Sequence, residues 1–97
     1  MKVRFTATAE LEISEILSFI ATDNPPAAVR VASQVDHTIS LIAKFPRIGR
    51  TKHRGLVRML PVRHYPQYLL FYVIEDEKIV ILNLRHARRR PLDEEAD

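Results

Sequence analysis

Hydrophobic side chains recur at helical spacing through the first half of the chain. The first stripe consists of Ala9, Ile13, Ile16, Leu17 and Ile20, spaced three or four residues apart. The segment 23–26 ends this helix and starts another, because Asn24 is a good N-cap and Pro25 suits the first helical position. A second stripe runs from Ala28 to Ile42, and Phe45-Pro46 ends it. The pattern predicts an antiparallel helix hairpin.

Strand patterns flank this hairpin. Val3 and Phe5 alternate with polar residues before the first helix, which Thr6 or Thr8 can cap. Three further strands are expected at 56–62, 68–74 and 79–85, with a hairpin turn at 75–78. Short connections favour an antiparallel meander. The fold class predicted is α+β, in the order β-α-α-β-β-β, with the helix hairpin packed on a small sheet.

The predicted strand at 68–74 is apolar on both faces, which is unusual in an antiparallel sheet. The helices can cover one face only. The other face should be covered by the chain's own tail or by a partner, with homodimerisation as the fallback when the partner is absent. Tyr68 and Tyr72 share one face of this strand and are expected in the core or at an interface.

Positive charge is concentrated in the middle of the chain and near its C-terminal end. The net charge is only +3, but no Asp or Glu lies between Asp36 and Glu75, where seven Lys or Arg occur. Residues 47–55 form a basic loop, and Arg85 begins a second basic segment that ends at Arg90. Such uncompensated charge attracts polyanions or acidic partners.

Composition excludes several classes of protein. The absence of cysteine excludes disulfides and thiolate sites, and two glycines are too few for a phosphate-binding loop. The four histidines lack metal-ligand spacing, so no metal or cofactor is expected. Ninety-seven residues make a single domain, 1–97, with 92–97 expected as a frayed tail. Neither an apolar leader nor a membrane-length apolar run occurs, which predicts a cytoplasmic protein without membrane contact.

The order of the elements and four short motifs resemble the RelE/ParE superfamily of toxins from type II toxin–antitoxin systems. The motifs are the strand-to-helix entry Phe5–Glu10, the "FPxxG" loop Phe45–Arg50, the central strand Tyr68–Tyr72, and the last strand Ile79–Arg89 with the "H-x-R-R" end of the ParE branch. The resemblance runs over residues 3–91. It implies a growth-inhibiting toxin that a cognate antitoxin neutralises, of the kind that supports plasmid stabilisation.

The two branches imply different chemistry. A ParE-like toxin would inhibit DNA gyrase and need not be an enzyme, whereas a RelE-like toxin would be a ribosome-dependent mRNA endoribonuclease. RelE-like nucleases commonly carry a tyrosine or a histidine near the C-terminus, and here no Tyr follows Leu84 but His86 does. This absence and the H-x-R-R end favour the ParE-like interpretation.

The resemblance and the charge pattern together nominate the site residues. The expected target-binding set is Arg85, His86, Arg88, Arg89 and Arg90. For a nuclease, which needs a base, an acid and positive charge at the phosphate, the catalytic set would be Lys52, Arg58, Arg63, Arg85 and His86, with His53 and Arg54 in the same loop as Lys52.

The antitoxin is expected to present an acidic, partly disordered segment to the meander. The residues expected to bind it are Arg58, Arg63, Tyr68 and Tyr72, with Arg58, Arg63 and Arg85 at the rim of the apolar strip. A homodimer or a toxin–antitoxin hetero-oligomer is the expected assembly. Glu10, Glu12 and Glu15 are interpreted as a solvated helix face.

Overall fold

The computed structural model describes residues 1–52 and 54–88. Its elements are β1 (Lys2–Phe5), α1 (Ala7–Asp23), α2 (Pro25–Lys44), β2 (Arg50–Lys52), β3 (Val57–Val62), β4 (Tyr65–Glu75) and β5 (Lys78–His86). The predicted α+β class, helix hairpin and three-strand meander are confirmed. The short strand β2 was not expected, because its residues lie in the segment 47–55 that was predicted to be a basic loop.

Both helices begin at the polar residues that the sequence offers as caps. Thr6 Oγ1 accepts a hydrogen bond from the Ala9 N–H at 3.0 Å, so Thr6 rather than Thr8 caps α1. Asn24 Oδ1 accepts one from the Ala27 N–H at 3.1 Å, and Pro25 follows as the first residue of α2. These bonds satisfy backbone donors that have no partner inside the helix.

The strands form one mixed sheet in the order β1-β5-β4-β3-β2. The first strand pairs in parallel with the last one, from Lys2 opposite Lys78 to Phe5 opposite Ile81, and the other pairs are antiparallel. Because β1 stops at Phe5, it leaves the rest of β5 without a neighbouring strand on that side.

The helices pack on one face of the sheet, which we call the inner face. Its buried core combines α2 with the sheet through Val31, Val35, Ile39, Ile42, Leu70, Tyr72, Ile79, Ile81 and Leu84. Since side chains alternate along a strand, Leu69, Phe71 and Val73 point to the opposite, outer face.

A bulge in β5 sets the faces of its last residues. Phe71 pairs with Asn83 but Tyr72 pairs with Ile81, so Leu82 is an extra residue. Beyond the bulge, Arg85 pairs with Leu69 on the outer face and His86 pairs with Tyr68 on the inner face. The two residues therefore leave β5 on opposite faces. In the part of the chain that the structure describes, no helix is long and apolar enough to cross a membrane.

Candidate functional site

The end of β5 holds three of the expected target-binding residues. The rings of His86 and Tyr68 meet edge to face, with centroids 5.3 Å apart. The Arg88 N–H donates to His86 Nδ1 at 3.0 Å, and the Ala87 N–H donates to the Gln67 carbonyl. An imidazole nitrogen that accepts is unprotonated, so the proton of the neutral ring lies on Nε2. These contacts fix the turn after β5 against β4.

A groove of about 820 Å³ opens beside this turn, between α1 and the ends of β4 and β5. We call it the β5-end groove. The residues that line it are Glu12, Ser14, Glu15, Ile16, Ser18, Phe19, Tyr68, Leu84, His86 and Arg88. Phe19 is 79% exposed. The groove thus combines apolar side chains with charges of both signs, which suits recognition of a protein surface.

Glu12 forms hydrogen bonds with the part of β5 that has no neighbouring strand on the β1 side. Its Oε1 accepts hydrogen bonds from Asn83 Nδ2 at 3.0 Å and from the Leu84 N–H at 3.1 Å, and its Oε2 lies 3.6 Å from Arg85 Nε. The side chain of Glu12 is only 20% exposed. The expectation that Glu12 belongs to a solvated helix face is therefore wrong. Its carboxylate takes the place of a neighbouring strand where β1 has ended.

The structure brings Arg85, His86 and Arg88 to one end of the sheet. Arg85 faces outward and pairs with Glu12, whereas His86 and Arg88 line the β5-end groove. Arg89 and Arg90, the remaining members of the expected set, lie outside the described residues, as does the tail that was expected to fray.

A second anchored segment is the loop from Phe45 to Gly49. Tyr72 Oη donates to the Pro46 carbonyl at 2.7 Å and accepts from the Gly49 N–H at 2.9 Å. Arg58 Nη1 donates to the carbonyls of Arg47 and Gly49, at 3.2 and 2.9 Å. A Cβ at position 49 would lie 2.7 Å from Tyr72 Oη, which accounts for the glycine of the FPxxG motif.

These contacts change the expected antitoxin-binding set. Tyr72 is fully buried and burial raises the pKa of its hydroxyl, so its side chain offers no surface to a partner. Arg58 pairs with Tyr72 in the register and therefore lies on the inner face, under the loop. Arg63 contacts His37 of α2 and is likewise not at the outer face. Tyr68 is half-buried and lines the β5-end groove.

Of the cationic rim that was expected around the outer face, only Arg85 lies on that face. Met59, Leu69, Val73 and Val80 form its apolar part together with Phe71, which is only 1% exposed. The cations that the register places on this face include Arg4 on β1, Arg50 and Lys52 on β2, and Arg85 on β5. Arg4 could have been identified from its alternation with Val3 and Phe5, but Arg50 and Lys52 required the unexpected strand β2.

The residues nominated for nuclease chemistry do not converge. Lys52 lies on the outer face of β2, Arg58 on the inner face of β3, and Arg85 on the outer face of β5. Two strands separate β2 from β5, which puts their backbones roughly 14 Å apart. His53 lies outside the described residues. Within 1–52 and 54–88, no three His, Cys, Asp or Glu side chains are grouped to hold a metal ion.

Comparison with known proteins gives relatives over nearly the whole chain. The candidate toxin Y4kP of Sinorhizobium fredii is 27% identical over 89 residues, which cover 92% of this chain and 91% of that protein. Toxin RelE2 of Caulobacter vibrioides is 28% identical over 88 residues, which cover 91% of this chain and 97% of that toxin.

A solved structure shares the fold. It is described as a chromosomal ParDE toxin–antitoxin system from P. aeruginosa, and it matches with a TM-score of 0.75 and 15% identity. The match covers 89% of this chain and 95% of that one.

The family profile matches almost from end to end. Residues 3–91 match the family described as the ParE toxin of type II toxin–antitoxin systems, parDE. This range includes both helices, every strand apart from the first residue of β1, the anchored loop and the basic end of β5. The chain therefore belongs to the ParE toxin family, within the RelE/ParE superfamily of type II toxins.

Proposed function

We propose that this toxin inhibits DNA gyrase through the end of β5 and the β5-end groove. The observation that carries the proposal is the fixed arrangement of His86 and the Arg88 backbone beside a groove that combines apolar and charged side chains and exposes Phe19. A preorganised turn loses little conformational entropy when it binds, and an exposed aromatic side chain provides apolar contact area. The expected surface on the target carries an apolar side chain next to acidic groups.

The alternative, cleavage of ribosome-bound mRNA, is less well supported by the geometry. Attack of a 2′-hydroxyl on its neighbouring phosphate needs a base, an acid and a phosphate-neutralising cation around one reaction centre. Lys52 and Arg58 face opposite sides of the sheet, and Arg58 is bonded to two backbone carbonyls. These positions favour a structural role for Arg58 over a catalytic one.

A cognate antitoxin is the second partner, and we place its acidic segment on the outer face. Half-buried Met59, Leu69 and Val73 offer apolar contacts, and Arg4 and Arg50 provide positive charge at the two edges. A partly disordered acidic segment would order on this surface as it binds. In the absence of antitoxin, the same face would be available for homodimerisation.

Two assays on one purified preparation test the target. Gyrase supercoiling should fall as toxin is added, and it should recover when the antitoxin is added in excess. Arg88→Glu should lose this inhibition, whereas Arg30→Glu on the exposed side of α2 should keep it. Primer extension on ribosome-bound messages should reveal no A-site cuts. Discrete cuts with unaffected supercoiling would instead establish the nuclease alternative.

A further inference from the structure

Arg63 lies between two imidazoles at the turn from β3 to β4. Its Nη1 lies 3.2 Å from His37 Nε2 on α2, and its Nε donates to His64 Nε2 at 3.4 Å. All three residues are exposed. One guanidinium and two titratable rings from separate elements therefore converge on one point of the surface.

The turn that carries this cluster is fastened to α2. The Arg63 N–H donates to Thr38 Oγ1 at 3.0 Å, and Thr38 Oγ1 donates to the Gln34 carbonyl at 2.7 Å. Thr38 is 1% exposed, so this link is protected from water. His64 has a φ of 68°, a left-handed conformation that orients the turn. The backbone of the cluster is thus fixed before any ligand arrives.

The side-chain partners of the Arg63 guanidinium are two imidazoles rather than a carboxylate, which is unusual for an arginine. A guanidinium can only donate hydrogen bonds, so each imidazole nitrogen that it contacts must be unprotonated and accepting. Among the described residues, no carboxylate forms an ion pair with Arg63. Protonation of either ring would remove its acceptor and place a second cation beside the guanidinium.

An oxyanion would resolve this conflict. A tetrahedral dianion can accept from the guanidinium fork and from protonated imidazoles at the same time, in charge-assisted hydrogen bonds. We propose that His37, Arg63 and His64 form a binding site for a phosphate-type dianion, and that occupation of the site is coupled to proton uptake by the two rings. This proposal does not depend on gyrase being the target, because none of the three residues lines the β5-end groove.

The surrounding charges leave the site cationic. On α2, Arg30 and Lys44 are each seven residues from His37, about 10 Å along the helix axis. Asp36 lines the cleft between α1 and α2 together with Glu10, on another side of α2. Tyr65 of β4 packs against the core. The ionisable side chains in direct contact with Arg63 are therefore His37 and His64.

Sulfate is the appropriate first probe, because it stays dianionic across the neutral pH range while phosphate titrates. Histidine ring resonances are followed by NMR as sulfate replaces chloride at constant ionic strength, near pH 6 and near pH 8. The signals of His37 and His64 should shift saturably and those of His86 should not. Affinity should rise by up to about tenfold per pH unit as the pH falls, for each proton taken up.

Variants then test the cluster itself. Arg63→Gln should abolish the response and Arg30→Gln should retain it, with the amide spectrum reporting that each variant is folded. If Arg63→Gln unfolds the turn, His64→Asn serves as the second variant, because asparagine tolerates the left-handed backbone at this position. It should weaken sulfate binding while the protein stays folded. Equal shifts of all histidines, a response that persists in Arg63→Gln, or an affinity that does not change with pH would overturn the proposal.

A second step identifies the source of the phosphate. Inorganic phosphate and a short single-stranded oligonucleotide with a 5′-terminal phosphate, which is also a dianion, are titrated against the same resonances. Displacement of the oligonucleotide by sulfate assigns the site to terminal phosphates of nucleic acid, and binding of inorganic phosphate alone assigns it to the free ion. Failure of both to bind would contradict the site.

Discussion

Two segments of this toxin, the loop 45–49 and the end of β5, are held by side chains that come from distant elements, and they are held differently. The loop is fixed by Tyr72, a buried neutral hydroxyl, and by Arg58. The end of β5 is fixed by Glu12, a partly exposed charge at a sheet edge. Buried hydrogen bonds tolerate little change, whereas water can reach a partly exposed carboxylate and replace its partners. The loop therefore serves the architecture, and the end of β5 is a preorganised segment that remains accessible to a binding partner.

The largest effect should come from crowding the loop. Gly49→Ala would place a Cβ 2.7 Å from Tyr72 Oη and 3.1 Å from the Met59 carbonyl. We expect a loss of about 3 kcal/mol in the free energy of unfolding, measured by urea denaturation. In a Tyr72→Phe background the clash with Oη disappears but the 2.9 Å approach to Cε1 remains, so the cost should be reduced only in part. If the costs of Gly49→Ala and Tyr72→Phe simply add in the double variant, the Tyr72 hydroxyl is not what limits the space at position 49.

Tyr72→Phe alone should cost less, about 2 kcal/mol, because it leaves the Gly49 N–H and the Pro46 carbonyl without their partner. The pH dependence gives a second test. The raised pKa of Tyr72 means that the folded state holds the phenol proton more tightly than the unfolded state. This contribution is complete below the ordinary value of 10.0 and is lost as the pH rises through the folded-state pKa. From pH 10.0 up to the folded-state pKa, the wild type should lose stability faster than Tyr72→Phe; parallel curves in this range would contradict this account.

Releasing the end of β5 should have a smaller effect on stability. Glu12→Ala removes the acceptor for the Leu84 N–H and for Asn83, at a cost of about 1 kcal/mol because water can reach this edge. Glu12→Gln keeps an acceptor oxygen and should cost less. Hydrogen exchange should show faster opening of β5 beyond Leu82 in Glu12→Ala while the core strands stay protected. Uniform loss of protection would mean that Glu12 supports the whole fold.

The smallest effect on stability should accompany the largest effect on function. Arg88→Glu changes an exposed side chain and should alter the free energy of unfolding by no more than about 0.5 kcal/mol. Growth arrest on induction should nevertheless be lost, since the reversed charge would repel an acidic target. Arg30→Glu is the matched control on α2. A folded Arg88→Glu variant with full toxicity would move the target-binding surface away from the end of β5.

Local patterns carried enough information to predict the helices, the meander and the family, because caps and periodicity act over a few residues. Asn24 and Pro25 identified the helix boundary, and the basic end of β5 was recognised from adjacent residues. The roles of Glu12 and Tyr72 could not be predicted. Their partners are 71 residues away in the case of Asn83 and 23 residues away in the case of Gly49. The β5 bulge at Leu82 and the parallel pairing of β1 also depend on the assembled sheet.

The position of β5 between β1 and β4 has a consequence for the synthesis of the toxin. Of the described strands, β5 is the last to be synthesised, yet it is an interior strand of the sheet, so β1 cannot pair until β5 has been made. Thr6, for example, bonds to the backbone of Leu82, 76 residues later. A nascent chain that still lacks β5 therefore cannot close its core. A chain that terminates before β5 is expected to lack the proposed target-binding surface.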